Sequence, residues 1–67
     1  MINLQEYNNN KKLIRSTEVA DFGEALKICN KSELDIFEMH VIFNGEVRSF
    51  LGAKQPNNYI DWVEIKD

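Results

Sequence analysis

The chain has little of the covalent and catalytic equipment that small proteins draw on: one cysteine, one histidine, one proline and three glycines in 67 residues. Cys29 alone supplies neither an internal disulfide nor a metal cluster, and a zinc site built of Cys and His needs three or four such ligands. As the sole thiol and imidazole, Cys29 and His40 would both be needed for a Cys-His nucleophile. No cofactor is indicated. No apolar run approaches the roughly 20 residues of a membrane span, and Met1 to Glu6 lacks the basic and apolar regions of a signal peptide. The expectation is a cytoplasmic protein without membrane contact, in which the Asn30-Lys31-Ser32 sequon has no role. A basic surplus is missing as well. Eleven acidic side chains stand against eight Lys and Arg, and no aromatic is interleaved with Lys11, Lys12 and Arg15, so direct nucleic-acid binding is not expected.

What is present is an ordinary globular composition, 43% hydrophobic and 28% charged, which reads as a single domain over residues 1–67. A chain this short buries only roughly 60% of the surface it exposes unfolded. Its core is therefore marginal, and a homo-oligomer is one way to enlarge it.

The densest apolar stretch runs from Leu34 to Ala53 and reads as a β-hairpin turning at Asn44-Gly45, a pair that tolerates positive φ. A two-residue loop sets Met39 across from Phe50 and Val41 across from Arg48, leaving both faces mixed. A three-residue loop with Gly45 in a bulge shifts the partners by one. Phe37, Met39 and Val41 then share an oily face with Val47, Ser49 and Leu51, while Glu38, His40 and Ile42 share the other with Glu46, Arg48 and Phe50. Because a one-residue slip moves a whole strand to the opposite face, the cleaner partition favours the bulged register.

Asp21 caps a helix over about Phe22 to Asn30, with Glu24 three residues on as in a capping box and Asn30 as a left-handed stop. Phe22, Ala25, Leu26 and Cys29 form its apolar stripe. Residues 2 to 7 alternate loosely and pair with Lys12 to Glu18 across Asn8-Asn9-Asn10 in one reading. In another, the first twenty residues lead into a longer helix. Gly52 to Asn58 is a loop containing Pro56, and Tyr59 to Lys66 reads as a final strand.

The fold class that follows is α+β, one helix packed on an antiparallel sheet of three to five strands. The helix is expected to cover Phe37, Met39, Val41, Val47, Leu51 and Val63, with Cys29 pointing into that core. The opposite face then carries Ile36, Ile42, Phe50, Ile60 and Trp62 among Glu38, His40, Glu46, Arg48 and Glu64. Trp62, Phe50, Arg48, His40, Glu38, Ile42 and Ile60 are its candidate protein-binding residues, because an exposed apolar patch with Trp, Phe and Arg marks an interaction surface. The alternative is that the N-terminal segment folds over this face as a second core.

Chemistry finds less support. Glu33, Asp35 and Glu38 could flank a substrate or a calcium ion, but such a charge run is usually a solvated strand edge. No catalytic residue or metal ligand is assigned, and a non-enzyme is expected. Glu33, Asp35, Glu38, Glu46, Asp61, Glu64 and Asp67 could instead imitate a row of phosphates and block a nucleic-acid-binding protein, although a net charge of −3 is modest for that role.

Three short segments carry a family resemblance: Phe22-Gly23-Glu24-Ala25-Leu26-Lys27, the turn Asn44-Gly45-Glu46-Val47, and Asp61-Trp62-Val63-Glu64-Ile65. With the spacing from Gly45 to Trp62, they resemble a group of small phage proteins that includes the anti-Thoeris sponges. The resemblance implies a phage-encoded anti-defence protein acting in the host cytoplasm and binding a cyclic ADP-ribose type signal. That group follows its helix with a Gly-Lys turn and a strand bearing Arg and Trp, and Lys31 to Asp35 has neither. The leading expectation is therefore a non-enzymatic inhibitor that occupies a host protein's surface, ahead of a signalling-nucleotide sponge or an acidic DNA mimic.

Overall fold

The structure, a computed structural model, describes residues 1–66. Five strands and one helix follow in the order β1 (Ile2–Tyr7), β2 (Leu13–Val19), α1 (Phe22–Lys31), β3 (Ile36–Phe43), β4 (Glu46–Lys54) and β5 (Ile60–Ile65). The strands form one antiparallel sheet in the order β2-β1-β3-β4-β5, with the helix on one face: the α+β arrangement expected. Residues 1–20 form a hairpin that extends the sheet beside β3. They do not fold over its open face as a second core.

Local chemistry explains the helix. The Asp21 carboxylate accepts the Glu24 amide at 2.8 Å, and Glu24 in return accepts the Ala20 amide at 3.0 Å, so each satisfies a donor left free at the first turn. Asn30 does not stop the chain. The helix continues through Lys31, and the extended Ser32 closes it, its amide donating to the carbonyls of Ile28 and Cys29. Ala25 and Cys29 are fully buried against the sheet, and Phe22 is half exposed.

The register of the β3–β4 hairpin corrects the sequence-based expectation. Asn44 and Gly45 both adopt positive φ, 50° and 80°, and the strands close directly around them with Phe43 opposite Glu46, Val41 opposite Arg48 and Met39 opposite Phe50. This is the two-residue turn whose twist matches that of the flanking strands. β4 is thereby rotated by one residue from the bulged alternative, and β5 follows it. Phe37, Met39 and Val41 lie under the helix as expected. Val47, Leu51 and Val63 do not; they point to the open face, and Phe50, Ile60 and Trp62 take the helix side.

The apparently poor partition is tolerated because one helix cannot cover the sheet. Five strands span roughly 19 Å at about 4.8 Å spacing, against a helix about 10 Å across. The helix sits at the β1–β2 end. The core it closes comprises Ile2, Leu4, Val19, Ala25, Cys29, Phe37, Met39 and Ile60, and full burial of Leu4, Phe37 and Met39 contributes about 1.5–3 kcal/mol each. Among the described residues, no helix is long and apolar enough to cross a membrane.

Candidate functional site

The open face of the sheet has two parts. Across β1, β3 and β4 runs a polar rib: the His40 ring meets Ser49 Oγ through Nδ1 and Glu38 Oε1 through Nε2, each at 2.8 Å. Tyr7 continues the rib, donating its hydroxyl to Gln5 Oε1 at 2.7 Å. Burial first, then the charge and hydrogen bonding of Glu38, push the Tyr7 phenol above its usual range.

Serine, histidine and carboxylate in line are the parts of an acyl-transfer site, but the setting is wrong for one. An oxyanion needs free donors aimed at the reacting carbon, and Ser49 lies within β4, whose backbone is paired with β3 on one side and β5 on the other. The rib is a cross-strand polar contact that fixes register. Ser49 is the member that sequence reasoning missed as a site residue, since only the two-residue turn sets it opposite His40.

The second part is apolar. Ile42, Val47, Leu51, Val63 and Ile65 are all substantially exposed, Val47 and Val63 at 61% and 62%, and they occupy three adjacent strands. A shallow groove of about 490 Å³ extends the patch past Tyr7, Ile36, Leu51 and Ala53. Charge on this face is one-sided among the described strand residues. Glu18, Glu38 and Asp61 project there, whereas Arg15, Arg48 and Lys54 sit at register positions on the helix side.

The seven candidate binding residues are therefore divided. Glu38, His40 and Ile42 share the open face as expected. Arg48, Phe50, Ile60 and Trp62 lie on the opposite one, with Ile60 buried in the core. Arg48, Phe50 and Trp62 still come together. With Ile2, Phe22 and Val41 they line a groove of about 500 Å³ beside the helix start. The Phe22 and Trp62 ring centroids are 6.4 Å apart, and the Arg48 guanidinium lies 5.8 Å from the Phe50 centroid. Arg48 also grips Glu64 with two hydrogen bonds of 2.8 Å, which lower the Glu64 carboxyl and raise the guanidinium. Trp62 lies flat on Gly52, where a Cβ would stand 2.5 Å from its ring. The tryptophan needs a glycine beneath it.

The remaining chemistry is structural. Glu6 is fully buried; Ser32 Oγ donates to its Oε1 at 2.7 Å, and Arg15 Nε lies 3.7 Å from Oε2. Lys54 Nζ donates to the Ser32 carbonyl at 2.5 Å, so this knot ties the helix end to the sheet. Burial, reinforced by the Glu6 charge, pushes the Cys29 thiol up to about 11, leaving it protonated and unreactive at neutral pH. Cys29 faces the helix-side core and His40 the other side of the sheet, so the two form no dyad. Glu33 and Asp35 are exposed ahead of β3, apart from the Glu38–His40 pair. Lys11 and Lys12 lie in the β1–β2 connection while Arg15 turns to Glu6, so the basic cluster disperses. Comparison with protein-family models, curated proteins and solved structures finds no match to this chain.

Proposed function

We propose that the chain is a small non-enzymatic binding protein that docks a partner protein on the open face of its sheet. The observation that carries this reading is the run of exposed aliphatics Ile42, Val47, Leu51, Val63 and Ile65 on β3, β4 and β5. Apolar patches of several hundred Å² on small proteins usually mark interaction sites. The paired backbone on both sides of Ser49 favours binding over catalysis. Among the described residues, Glu18, Glu38 and Asp61 outnumber the one cation that lines this face, Lys11 in the groove beside Tyr7, so the complementary partner presents an apolar patch rimmed by cations. The resemblance of the helix start, turn and last strand to small phage proteins supports the finer reading: a phage-derived inhibitor that occupies a host protein's surface in the host cytoplasm.

Immobilised protein challenged with bacterial lysate tests this. Val47→Lys and Leu51→Lys, both at exposed positions, are expected to lose the partner that wild type retains. Phe22→Ala and Arg48→Ala, which alter only the groove beside the helix, are expected to keep it. Equal recovery by wild type and the two lysine variants would remove the open face from the argument.

A further inference from the structure

The two edges of the sheet are unlike, and the difference concerns self-association by backbone pairing at an edge that borders the open face. β2 is blunted. Its pairing with β1 is interrupted by a bulge near Tyr7, two lysines precede it, and Arg15, Ser16, Thr17 and Glu18 fill its centre. Charge, bulges and irregular pairing are the usual protection of an edge. Of these β5 has only charge, the carboxylates Asp61 and Glu64: its register with β4 is unbroken from Ile60 to Ile65, and it contains neither proline nor lysine.

Which backbone groups β5 leaves outward follows from the hydrogen bonds beside it. The Gln55 amide donates to the Tyr59 carbonyl at 2.7 Å, while the Lys54 amide turns the other way, to Asp35. In an antiparallel ladder this alternation continues. Asp61, Val63 and Ile65 therefore bond to β4, and the amides and carbonyls of Ile60, Trp62 and Glu64 face away from it.

We infer that β5 pairs antiparallel with β5 of a second copy of this chain, with the two-fold axis at Val63, merging two sheets into one. Charge and apolar exposure along the strand together select that register. An axis at Asp61 or Glu64 would set a carboxylate against its own copy, which is destabilising. An axis at Trp62 would set Val63, the most exposed aliphatic of the strand, against Asp61, whereas an axis at Val63 sets that carboxylate against the less exposed Ile65. With the axis at Val63, this residue, 62% exposed in one chain, meets itself at a closely spaced pair that shares no hydrogen bonds. Asp61 then lies opposite Ile65 of the second copy, and Trp62 exchanges backbone hydrogen bonds with its Glu64.

Cysteine crosslinking reads out the register, with Cys29 buried and silent. Paired residues at such a position are about 4.5 Å apart, within the span of a disulfide, whereas two copies of residue 65 would lie roughly 13 Å apart along the strands, beyond it. Mild oxidation of Val63→Cys is expected to give roughly tenfold more covalent dimer than Ile65→Cys. Sedimentation of the wild-type chain, which depends on no variant, is expected to show a dimer. The double variant Val47→Lys/Val63→Cys should crosslink as readily as Val63→Cys, because Val47 lies outside this edge. A wild-type monomer at the highest soluble concentration overturns the inference. Crosslinking that is equal at both positions, or absent at Val63, does so too, and loss of the crosslink on adding Val47→Lys would place the association on the open face instead.

Discussion

The two faces of this sheet are built from the same kinds of side chain and meet opposite fates. Under the helix, Leu4, Phe37 and Met39 are fully buried; on the far side, Val47, Leu51 and Val63 stay close to half exposed or more. Apolar content therefore does not decide which face becomes core. Cover does, and a single ten-residue helix supplies it on one face only.

The contrast is broken most severely from the buried side. Phe37→Ala should remove about 3–5 kcal/mol, comparable to the whole stability of a domain of this size at roughly 0.05–0.15 kcal/mol per residue, so the variant is expected to be largely unfolded by circular dichroism. Leu51→Ala, on the open face, should change stability by less than about 0.5 kcal/mol while weakening partner capture. A comparable loss of stability for both would mean that the open face is covered within the monomer.

Gly52→Ala probes the place where the helix layer runs out. The new methyl would collide with the Trp62 ring, which must lift from the sheet at a cost of about 1–3 kcal/mol. A lowered melting temperature and a changed tryptophan emission are expected together. A smaller effect is predicted for Asp21→Ala, which leaves the Glu24 amide without its acceptor and should cost about 1 kcal/mol, read as a shift in the denaturant midpoint.

Features set by neighbours in sequence were legible from sequence. Asn44-Gly45 announced the hairpin, Asp21 and Glu24 the helix start, and the alternation from Tyr59 to Lys66 the last strand. The side to which β4 and β5 turn was not legible by the same means. Choosing the register with the cleaner oily face assumed that the helix must cover every apolar side chain of β4 and β5, whereas it packs chiefly on β1 and β2 and meets β5 at Ile60 and Trp62. That assumption moved Phe50, Ile60 and Trp62 to the wrong face and counted Val47, Leu51 and Val63 as core. The signal that decides the matter was in the turn itself: asparagine followed by glycine suits a loop in which both residues take positive φ.

The smallest expected effect concerns the cross-strand pair that joins β4 to β5 on the helix side. Arg48 holds the Glu64 carboxyl below its ordinary value of 4.5, chiefly by hydrogen bonding. A group whose folded pKa is depressed contributes stability above its unfolded pKa and loses it as pH falls through the folded one. Wild type and Glu64→Gln should accordingly differ slightly at neutral pH and converge as the solution is acidified below 4.5. Both side chains of the pair reach solvent, so added salt should narrow the neutral-pH difference. A gap that persists in acid would show that the substitution acts through packing around Trp62 and Phe50, which would make the groove beside the helix a stiffer part of the molecule than the ion pair at its rim.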